Sequence, residues 1–294
     1  MSRLAVPAQV LVLCVLVHSL WGGNPIAVKF GLTAFGPFTS AFLRFCLGAM
    51  CVLAWAQLRG VRIWPRPGEW PTLVIIALTF TVQIGLMNMG YDRTTGAMGA
   101  VLIATNPLFA ALFAHLLVAG DRLSAGRVAG IAVAMAGVAV CLVQDADPAN
   151  LDFGAVGNWI VILSAGLLGL RLAFSARVLR SIDEARVAIW QMLLSLPLFA
   201  VGAALFESLD PQAVSWPAVA GIVYQGIVVA GVGFTASFAL MKRYTPSVVM
   251  SFNFVSPVVG VLLAAWLLDE DVTLMLWLGM ALVAAGLALV ARRT

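Results

Sequence analysis

Charged side chains are scarce in this sequence. They make up 10% of its 294 residues, whereas 62% of the residues are hydrophobic and the mean hydropathy is +1.03. This composition excludes an ordinary soluble domain, because too few polar side chains are present to cover a water-exposed surface. Lysine is nearly absent: Lys29 and Lys242 are the two present, and neither follows a glycine. The lysine of a phosphate-binding P-loop is therefore missing, and we expect no ATP hydrolysis by this chain.

Residues that bind metals or act as nucleophiles are also few. The four cysteines form no CxxC pair and lie in apolar stretches, where free cysteine usually packs as a small hydrophobic residue. His18 and His115 are the two histidines, and neither has a cysteine or carboxylate at metal-ligand spacing. Neither an HExxH motif nor a Ser-His-Asp spacing occurs. We therefore expect no metal, no cofactor and no catalytic residue.

Long apolar stretches dominate the chain instead. Ten of them are long enough to cross about 30 Å of hydrocarbon as helices that rise about 1.5 Å per residue. We number them spans 1 to 10, at residues 8–30, 37–58, 70–90, 96–118, 125–143, 156–178, 185–206, 216–241, 246–268 and 273–291. The sequence therefore predicts an all-α membrane protein with ten transmembrane helices in a lipid bilayer.

The charges outside the spans are distributed unevenly. With the exception of Arg93, the basic residues fall on one side of a ten-span topology. They are Arg3, Arg59, Arg62, Arg66, Arg122, Arg127, Arg177, Arg180, Arg186, Lys242, Arg243, Arg292 and Arg293. The opposite side collects Asp145, Asp147, Asp152, Glu207, Asp210, Asp269, Glu270 and Asp271. Because cytoplasmic loops are rich in Lys and Arg, both termini are predicted to be cytoplasmic, and the net charge of +4 indicates topology rather than binding of nucleic acid.

The sequence also contains an internal duplication. Residues 103–137 and 253–286 both read as an apolar helix with a proline, then a carboxylate, then two glycines seven positions apart. The landmarks are Asn106, Pro107, Asp121, Gly130 and Gly137 in the first copy and Ser256, Pro257, Glu270, Gly279 and Gly286 in the second. Each copy belongs to a half with five spans, an odd number, so the two halves enter the bilayer from opposite sides. We expect two inverted five-helix repeats, at 1–143 and 154–294, joined by an acidic connection at 144–153.

Helix-breaking residues interrupt several spans near mid-depth. The segment Gly22-Gly23-Asn24-Pro25 interrupts span 1, and Pro107 and Pro257 occupy equivalent places in spans 4 and 9. A proline leaves the carbonyl one turn earlier without its donor, and in lipid that group needs protein or a polar cavity beside it. Equivalent breaks in both halves predict a central binding site. We assign gating or structural roles to Gly22, Pro25, Pro107, Asp121, Pro257 and Glu270.

The opening of the chain resembles that of a known family. The run Trp21-Gly22-Gly23-Asn24-Pro25, followed by Lys29, Pro37 and Arg44-Phe45, is similar to the start of EamA-type transporters in the drug/metabolite transporter superfamily. The duplicated proline, carboxylate and glycine pattern resembles that family's repeat unit, and the resemblance covers the whole chain. It implies a ten-helix inverted-repeat fold that moves small metabolites, amino acids among them, across the inner membrane, often outward. The first copy departs from the family by carrying Asp121 where a glutamate is usual.

Polar side chains inside the spans are the candidates for substrate binding. A cation at a helix centre costs roughly 2.5–3.5 kcal/mol on insertion scales, and Lys29 and Arg44 lie in the outer half with no carboxylate inside any span. We expect at least one of these two to attract a substrate carboxylate, although each could instead extend to the membrane surface. Arg171 lies deeper, in span 6. The uncharged candidates are Trp21, Asn24, Gln83, Asn106, Tyr224, Gln225, Asn253 and Ser256.

Together these features predict a secondary transporter that exports small metabolites, such as amino acids, by alternating access. No Asp or Glu lies in the middle of a span, so uniport, exchange and proton coupling through His18 or an interfacial carboxylate are all open. A non-transporting scaffold or receptor and an intramembrane enzyme are the alternatives. The expected partners are a small-molecule substrate and the bilayer, with the chain acting as a monomer or homodimer in the inner membrane.

Overall fold

The computed structural model describes residues 8–117, 123–144, 155–179, 181–233, 236, 240 and 252–291. Within these ranges every regular element is a helix. In the same ranges nine helices are long and apolar enough to cross a membrane, and the shorter apolar helix Val255–Leu267 takes the place of span 9. The predicted all-α architecture with ten membrane helices is therefore confirmed.

The helix bounds follow the predicted spans closely. In chain order the helices are span 1, Ala8–Gly22 and Asn24–Leu32; span 2, Pro37–Leu58; span 3, Trp70–Asp92; span 4, Gly96–Ile103 and Asn106–Leu117; span 5, Ala125–Gln144; span 6, Val156–Val178; span 7, Glu184–Phe206; span 8, Trp216–Val223 and the π-helix Tyr224–Gly233; span 9, Val255–Leu267; and span 10, Leu274–Ala291. A short 3-10 helix, Pro211–Ala213, precedes span 8. Spans 1 and 4 are both divided into two helices, beside Gly22-Gly23-Asn24-Pro25 and Pro107, where the sequence predicted interruptions.

Local sequence explains where several helices begin. Span 2 begins at Pro37, whose missing N–H is not needed in the first turn and whose fixed φ suits a helix. Side-chain oxygens cap other first turns: Thr95 accepts from Met98 N, Asp183 from Ala185 N and Ser215 from Ala218 N. These caps satisfy backbone donors that have no partner inside the helix.

The two halves pack in a pattern that is unchanged when they are exchanged. Exchanging the halves turns span n into span n + 5. The packing of span 3 on span 6 corresponds to that of span 8 on span 1. The packing of span 4 on span 6 corresponds to that of span 9 on span 1. The packing of span 2 on span 8 corresponds to that of span 7 on span 3. Spans 2 and 7, 4 and 9, and 5 and 10 pack on their own equivalents. Such a contact pattern is that of a pseudo-two-fold axis between the halves.

Spans 5 and 10 show directly that the halves are inverted. A Cβ added at Gly137 would lie 2.6 Å from the carbonyl oxygen of Gly279, and one added at Gly130 would lie 2.9 Å from that of Gly286. The earlier glycine of one span meets the later glycine of the other, so the two equivalent helices run antiparallel. Only glycine permits this backbone contact, and small residues are the usual means of close helix packing in lipid. The faces of spans 5 and 10 that carry these glycines therefore pack the two halves together.

We call the side where span 1 begins the N side and the side where it ends, at Leu32, the far side. Odd-numbered spans run from the N side to the far side, and even-numbered spans run back. The loops at 59–69 and 181–183 consequently lie on the N side, and those at 93–95, 207–215 and 268–273 lie on the far side.

Candidate functional site

The break in span 1 lies against span 9. A Cβ added at Gly22 would lie 2.7 Å from the carbonyl oxygen of Ser256, and one added at Gly260 would lie 3.1 Å from the carbonyl oxygen of Gly22. The same Cβ added at Gly260 would lie 2.5 Å from the Cβ of Ala100 in span 4. Three spans thus meet at backbone distance where the first is interrupted. On span 9 the residues that make this close packing are Ser256 and Gly260.

Span 8 holds both pieces of span 1. The Tyr224 hydroxyl donates to the carbonyl oxygen of Leu20 at 2.9 Å, before the break, and Gln225 Nε2 donates to that of Ala27 at 2.9 Å, after it. Both side chains begin a π-helix, an element that is rare and frequent at functional sites. Tyr224 and Gln225 therefore bridge the two pieces, and Gly23 leaves room for the phenol, since a Cβ there would be 2.5 Å from its oxygen.

The break in span 4 is stabilised by its own side chain. Pro107 lacks an N–H, so the carbonyl of Ile103, four residues earlier, has no helical donor. Asn106 Nδ2 donates to that carbonyl oxygen at 2.8 Å. Asn106 is thus engaged by the backbone rather than by an open cavity. The equivalent of Asn106 in span 9 is Ser256, which is half-buried, as is Asn253. Ser256 N donates to the carbonyl oxygen of Asn253 at 3.3 Å.

Several buried polar groups of spans 1, 2, 3 and 8 have atoms without a hydrogen-bond partner among the described residues. We call these residues the interior polar cluster: Asn24, Ser40, Arg44, Tyr91 and Gln225. Ser40 Oγ and Gln225 Nε2 lie 3.2 and 3.1 Å from the same point, the position a Cβ would take at Gly31. Buried polar groups are normally paired with protein or with ordered water, so these exceptions mark a candidate place for water or another polar molecule.

Arg44 is the one charged member of that cluster. Its side chain is 3% exposed, and within the described part of the chain neither Nε nor Nη1 has a hydrogen-bond partner. The guanidinium carbon lies 5.1 Å from the ring centroid of the adjacent Phe45. The alternative that Arg44 extends to the membrane surface is wrong, because packing of spans 2, 3 and 8 encloses it.

Arg171 contacts the aromatic ring that packs against Phe45. Its guanidinium carbon lies 5.0 Å from the ring centroid of Phe80, and Nη1 donates to Gln191 Oε1 at 3.0 Å. Phe80 meets Phe45 edge to face at 4.7 Å between ring centroids. Two arginines thus flank one aromatic pair, but Arg171 has a polar partner that Arg44 lacks.

Three other candidates are engaged elsewhere. Gln83 Nε2 donates to Ser164 Oγ at 3.0 Å, and that hydroxyl donates to the carbonyl oxygen of Gln83 at 2.9 Å, so Gln83 joins spans 3 and 6. His18 is buried and its Nδ1 lies 2.8 Å from the carbonyl oxygen of Cys14 in its own helix. Trp21 packs against the apolar cluster of Cys14 and Val17. Pro25 and Pro257 are buried, and Asp121 lies outside the described residues.

Lys29 binds the end of a neighbouring helix. Its Nζ donates to the carbonyl oxygens of Tyr91 at 3.1 Å and Thr94 at 2.8 Å, at the carboxyl end of span 3. A cation is favoured there because the last carbonyls of a helix carry partial negative charge. Lys29 therefore acts as a cap in this conformation, and its ammonium is not presented to a cavity.

Two glutamates of the second half cap helices of the first half on the far side. Glu270 accepts from Gly96 N at 2.6 Å and Ala97 N at 2.8 Å, at the start of span 4. Glu207 accepts from Phe38 N at 2.6 Å and from Thr39 N at 2.9 Å, at the start of span 2. An anion at a helix N-terminus satisfies free donors and is favoured by the helix dipole. The sequence interpretation missed Glu207, although it follows span 7 as Glu270 follows span 9.

The N side is tied by an ion pair that the sequence interpretation also missed. Arg186 Nη1 lies 3.0 Å from each carboxylate oxygen of Glu69, with both side chains buried, and this joins spans 3 and 7. Trp190 Nε1 donates to the carbonyl oxygen of Ile63 at 2.8 Å, which holds the loop at 59–69 on span 7. The sequence does carry a signal for this ion pair, because Glu69 is an acidic residue in a loop that also contains Arg59, Arg62 and Arg66.

A membrane protein with two inverted halves and helices broken at mid-depth has the architecture of a secondary carrier. The chain belongs to the EamA-like transporter family, whose sequence profile matches residues 9–143 and again residues 155–292. The protein is accordingly a multi-pass membrane transporter of the drug/metabolite transporter superfamily.

Named relatives support this assignment. The chain is 23% identical over 277 residues to the “Uncharacterized inner membrane transporter YedA” of Escherichia coli (strain K12), covering 93% of this chain and 88% of the relative. It is 27% identical over 286 residues to the “Probable terminal-alkyne amino-acid exporter” of Streptantibioticus cattleyicolor, covering 95% and 92%. A solved crystal structure is similar over 97% of this chain and 96% of the other, with a TM-score of 0.68 and 23% identity, which supports the fold alone.

Proposed function

We propose that the protein exports small metabolites, with amino acids or related compounds as the substrate class, by alternating access across the inner membrane. The observation that carries the proposal is the meeting of the broken span 1 with spans 8 and 9 beside a cluster of buried, unpaired polar groups. Broken helices free backbone groups for a solute at the midplane, and the cluster adds side-chain donors and acceptors. The similarity to an amino-acid exporter favours the same substrate class.

The helix caps and the N-side ion pair would act as the gates. Glu207 and Glu270 join the two halves on the far side, and Glu69 and Arg186 join them on the N side. Alternating access requires that the halves separate on one side while they stay joined on the other. Caps and ion pairs suit this role, because a few hydrogen bonds can break while the apolar packing of spans 5 and 10 is kept.

Six of the binding residues proposed from the sequence fall into two groups. Asn24, Arg44 and Gln225 keep unpaired polar atoms and would contact the solute. Tyr224, Asn106 and Ser256 would shape the site through the broken backbone. Pairing of Lys29 with carbonyls of span 3 favours a gating role for it over substrate contact.

The N side would face the cytoplasm. The loop at 59–69 on that side carries Arg59, Arg62 and Arg66, and basic loops are retained in the cytoplasm. A reporter fused after Asp147 should then lie outside the cytoplasm. A cytoplasmic reporter at that position would overturn the orientation and, with it, the direction of export.

Counterflow in proteoliposomes tests the transport function itself. Vesicles that contain the purified protein are loaded with one unlabelled solute, and uptake of the labelled solute is followed for amino acids, nucleosides and sugars in turn. We expect counterflow of amino acids that vesicles without protein lack. Absence of counterflow for every class would contradict the proposal, and counterflow restricted to sugars or nucleosides would replace the substrate class.

A further inference from the structure

Arg44 is a buried cation without a counter-ion. Its side chain is 3% exposed, and it makes no hydrogen bond or ion pair to any described residue. Its guanidinium carbon lies 5.1 Å from the ring centroid of Phe45, and this cation–π contact is its one electrostatic contact of defined geometry among the described residues. Such a contact offsets only part of the hydration free energy that a guanidinium loses on burial. A cation at this depth in a membrane protein is kept for binding or transport unless it is neutralised locally.

The other buried arginine of the described chain shows what local neutralisation looks like. Arg186 has its Nη1 at 3.0 Å from both oxygens of Glu69, and both side chains are buried. Arg44 and Arg186 therefore form a matched pair, one with a carboxylate supplied by the protein and one without. Arg44 is the place where a carboxylate from another molecule would complete the same arrangement.

The groups around Arg44 suit a carboxylate. The hydroxyl of Tyr91, on the neighbouring span 3, is fully buried and has no hydrogen-bond partner among the described residues. A phenol can donate to a carboxylate beside the guanidinium, and charge-assisted bonds of this kind are short and strong. Ser40, one turn before Arg44 on the same helix face, offers a further unpaired hydroxyl.

The amides of Gln225 in span 8 and Asn88 in span 3 carry acceptors that no described residue pairs. Gln225 Oε1 has no partner, and its orientation is set because Nε2 of the same amide donates to the carbonyl oxygen of Ala27. Asn88 is oriented likewise, with Nδ2 donating to the carbonyl oxygen of Pro37 at 2.8 Å and Oδ1 unpaired. A solute that carries a donor as well as a carboxylate could satisfy acceptors of this kind.

We propose that Arg44 and Tyr91 bind the carboxylate of the transported solute, so that the protein selects carboxylic acids over their amides. The proposal rests on the transport function proposed above and names the group of the substrate that is recognised. It makes Arg44 a substrate-binding residue and leaves Lys29 to the far-side gate.

The binding of a carboxylate is tested first without any transport. The apparent Tm of the purified protein in detergent is measured with sodium acetate added to a constant chloride background, with the same amount of extra sodium chloride, and with acetamide. Acetate should raise the Tm of the wild-type protein by on the order of 2–4 °C more than the other two additions, because it binds only the folded state. Arg44→Gln should abolish this difference.

Arg186→Gln is the matched control, because it removes a buried arginine that already has a carboxylate partner. It should lower the Tm and leave the acetate response intact. An acetate response that survives in Arg44→Gln would overturn the proposal, and so would equal stabilisation by chloride, which would indicate a halide site. Arg44→Gln should itself fold, since it removes a charge that nothing in the described chain neutralises.

The second measurement compares the counterflow of an amino acid with that of its carboxamide. Arg44→Gln should reduce counterflow of the acid at least tenfold and should abolish the preference for the acid over the amide. Arg44→Lys should retain part of the acid counterflow and part of that preference. An unchanged preference in Arg44→Gln would overturn the proposal. If no solute of the panel is transported by the wild-type protein, the transport function fails instead, and the acetate response still decides whether Arg44 binds a carboxylate.

Discussion

The carboxylate of Glu270 is bonded to the backbone N–H of Gly96, 2.6 Å away and 174 positions earlier in the chain. Its other oxygen accepts from Ala97, so one side chain of the second half closes the first turn of a helix in the first half. Glu207 makes the equivalent contact with the start of span 2. The far side is therefore closed by two carboxylates, each bonded to backbone N–H groups at a helix end.

Glu270→Gln and Glu207→Gln should both favour opening of the far side. Each variant keeps an acceptor but loses the charge that the helix N-terminus attracts, at a cost of about 0.5–2 kcal/mol. The measurement is the rate at which a far-side, membrane-impermeant maleimide labels a cysteine placed at Asn24, after the four native cysteines have been replaced. Asp210→Asn is the control, because among the described residues that far-side carboxylate accepts only from Gln212 N, two positions along the chain. Equal labelling rates in all three variants would contradict a gating role.

Glu69→Gln should destabilise the N side strongly. It leaves Arg186 buried with no counter-ion, which costs about 3–5 kcal/mol when one partner of a buried pair is removed. Glu69→Gln combined with Arg186→Gln should lose less stability than the sum of the two single variants. A double-mutant cycle on thermal unfolding gives the coupling energy, and a value near zero would show that the 3.0 Å contact contributes nothing.

Gly137→Ala should disturb the contact between the halves. The new methyl group would lie 2.6 Å from the carbonyl oxygen of Gly279 and 2.8 Å from the backbone nitrogen of Val283, and backbone cannot turn aside as a side chain can. We expect a loss of about 1–3 kcal/mol, seen as a lower apparent Tm. Gly166→Ala is the control, since the nearest atom there is 3.9 Å away. Equal Tm values for the two variants would mean that spans 5 and 10 are not packed this closely.

Asn106→Ala should destabilise the break in span 4, and Pro107→Ala should rescue it. The single variant leaves the carbonyl of Ile103 without its donor, at about 1–3 kcal/mol for a buried polar group. Replacing Pro107 returns a backbone N–H that can bond the same carbonyl. Apparent Tm values of the two single variants and the double variant provide the test. A double variant less stable than Asn106→Ala would show that the side chain does not substitute for the missing N–H.

Much of the fold could be predicted because its causes are local. The thickness of hydrocarbon sets the length of each span, and the predicted bounds of spans 2 and 6, 37–58 and 156–178, coincide with the observed helices. The breaks in spans 1 and 4 lie where glycine and proline were found, because these residues act on their own backbone. The spaced glycines of spans 5 and 10 were found in the sequence as landmarks of the duplication, and the structure adds that they contact one another.

The partners of the polar side chains could not be predicted in the same way. Lys29 was expected at the substrate or at the surface, and it binds carbonyls 62 and 65 positions away. Glu207 and Glu69 have partners 168 and 117 positions away, and nothing in their neighbourhood in the sequence identifies these. A charge in a loop looks alike whether it is solvated or caps a helix, until the fold brings that helix beside it.

The sequence by itself determined that this protein crosses a membrane ten times, that its halves are related by inversion, and where its helices break. These properties follow from hydrophobic length, duplication and the chemistry of single residues. The tertiary structure decided which charges are satisfied: Glu270 by the start of span 4, Arg186 by Glu69, and Arg44 by no described residue. In a low-dielectric interior the energy of a charge is set by the groups beside it, and only the packing of distant spans brings those groups together.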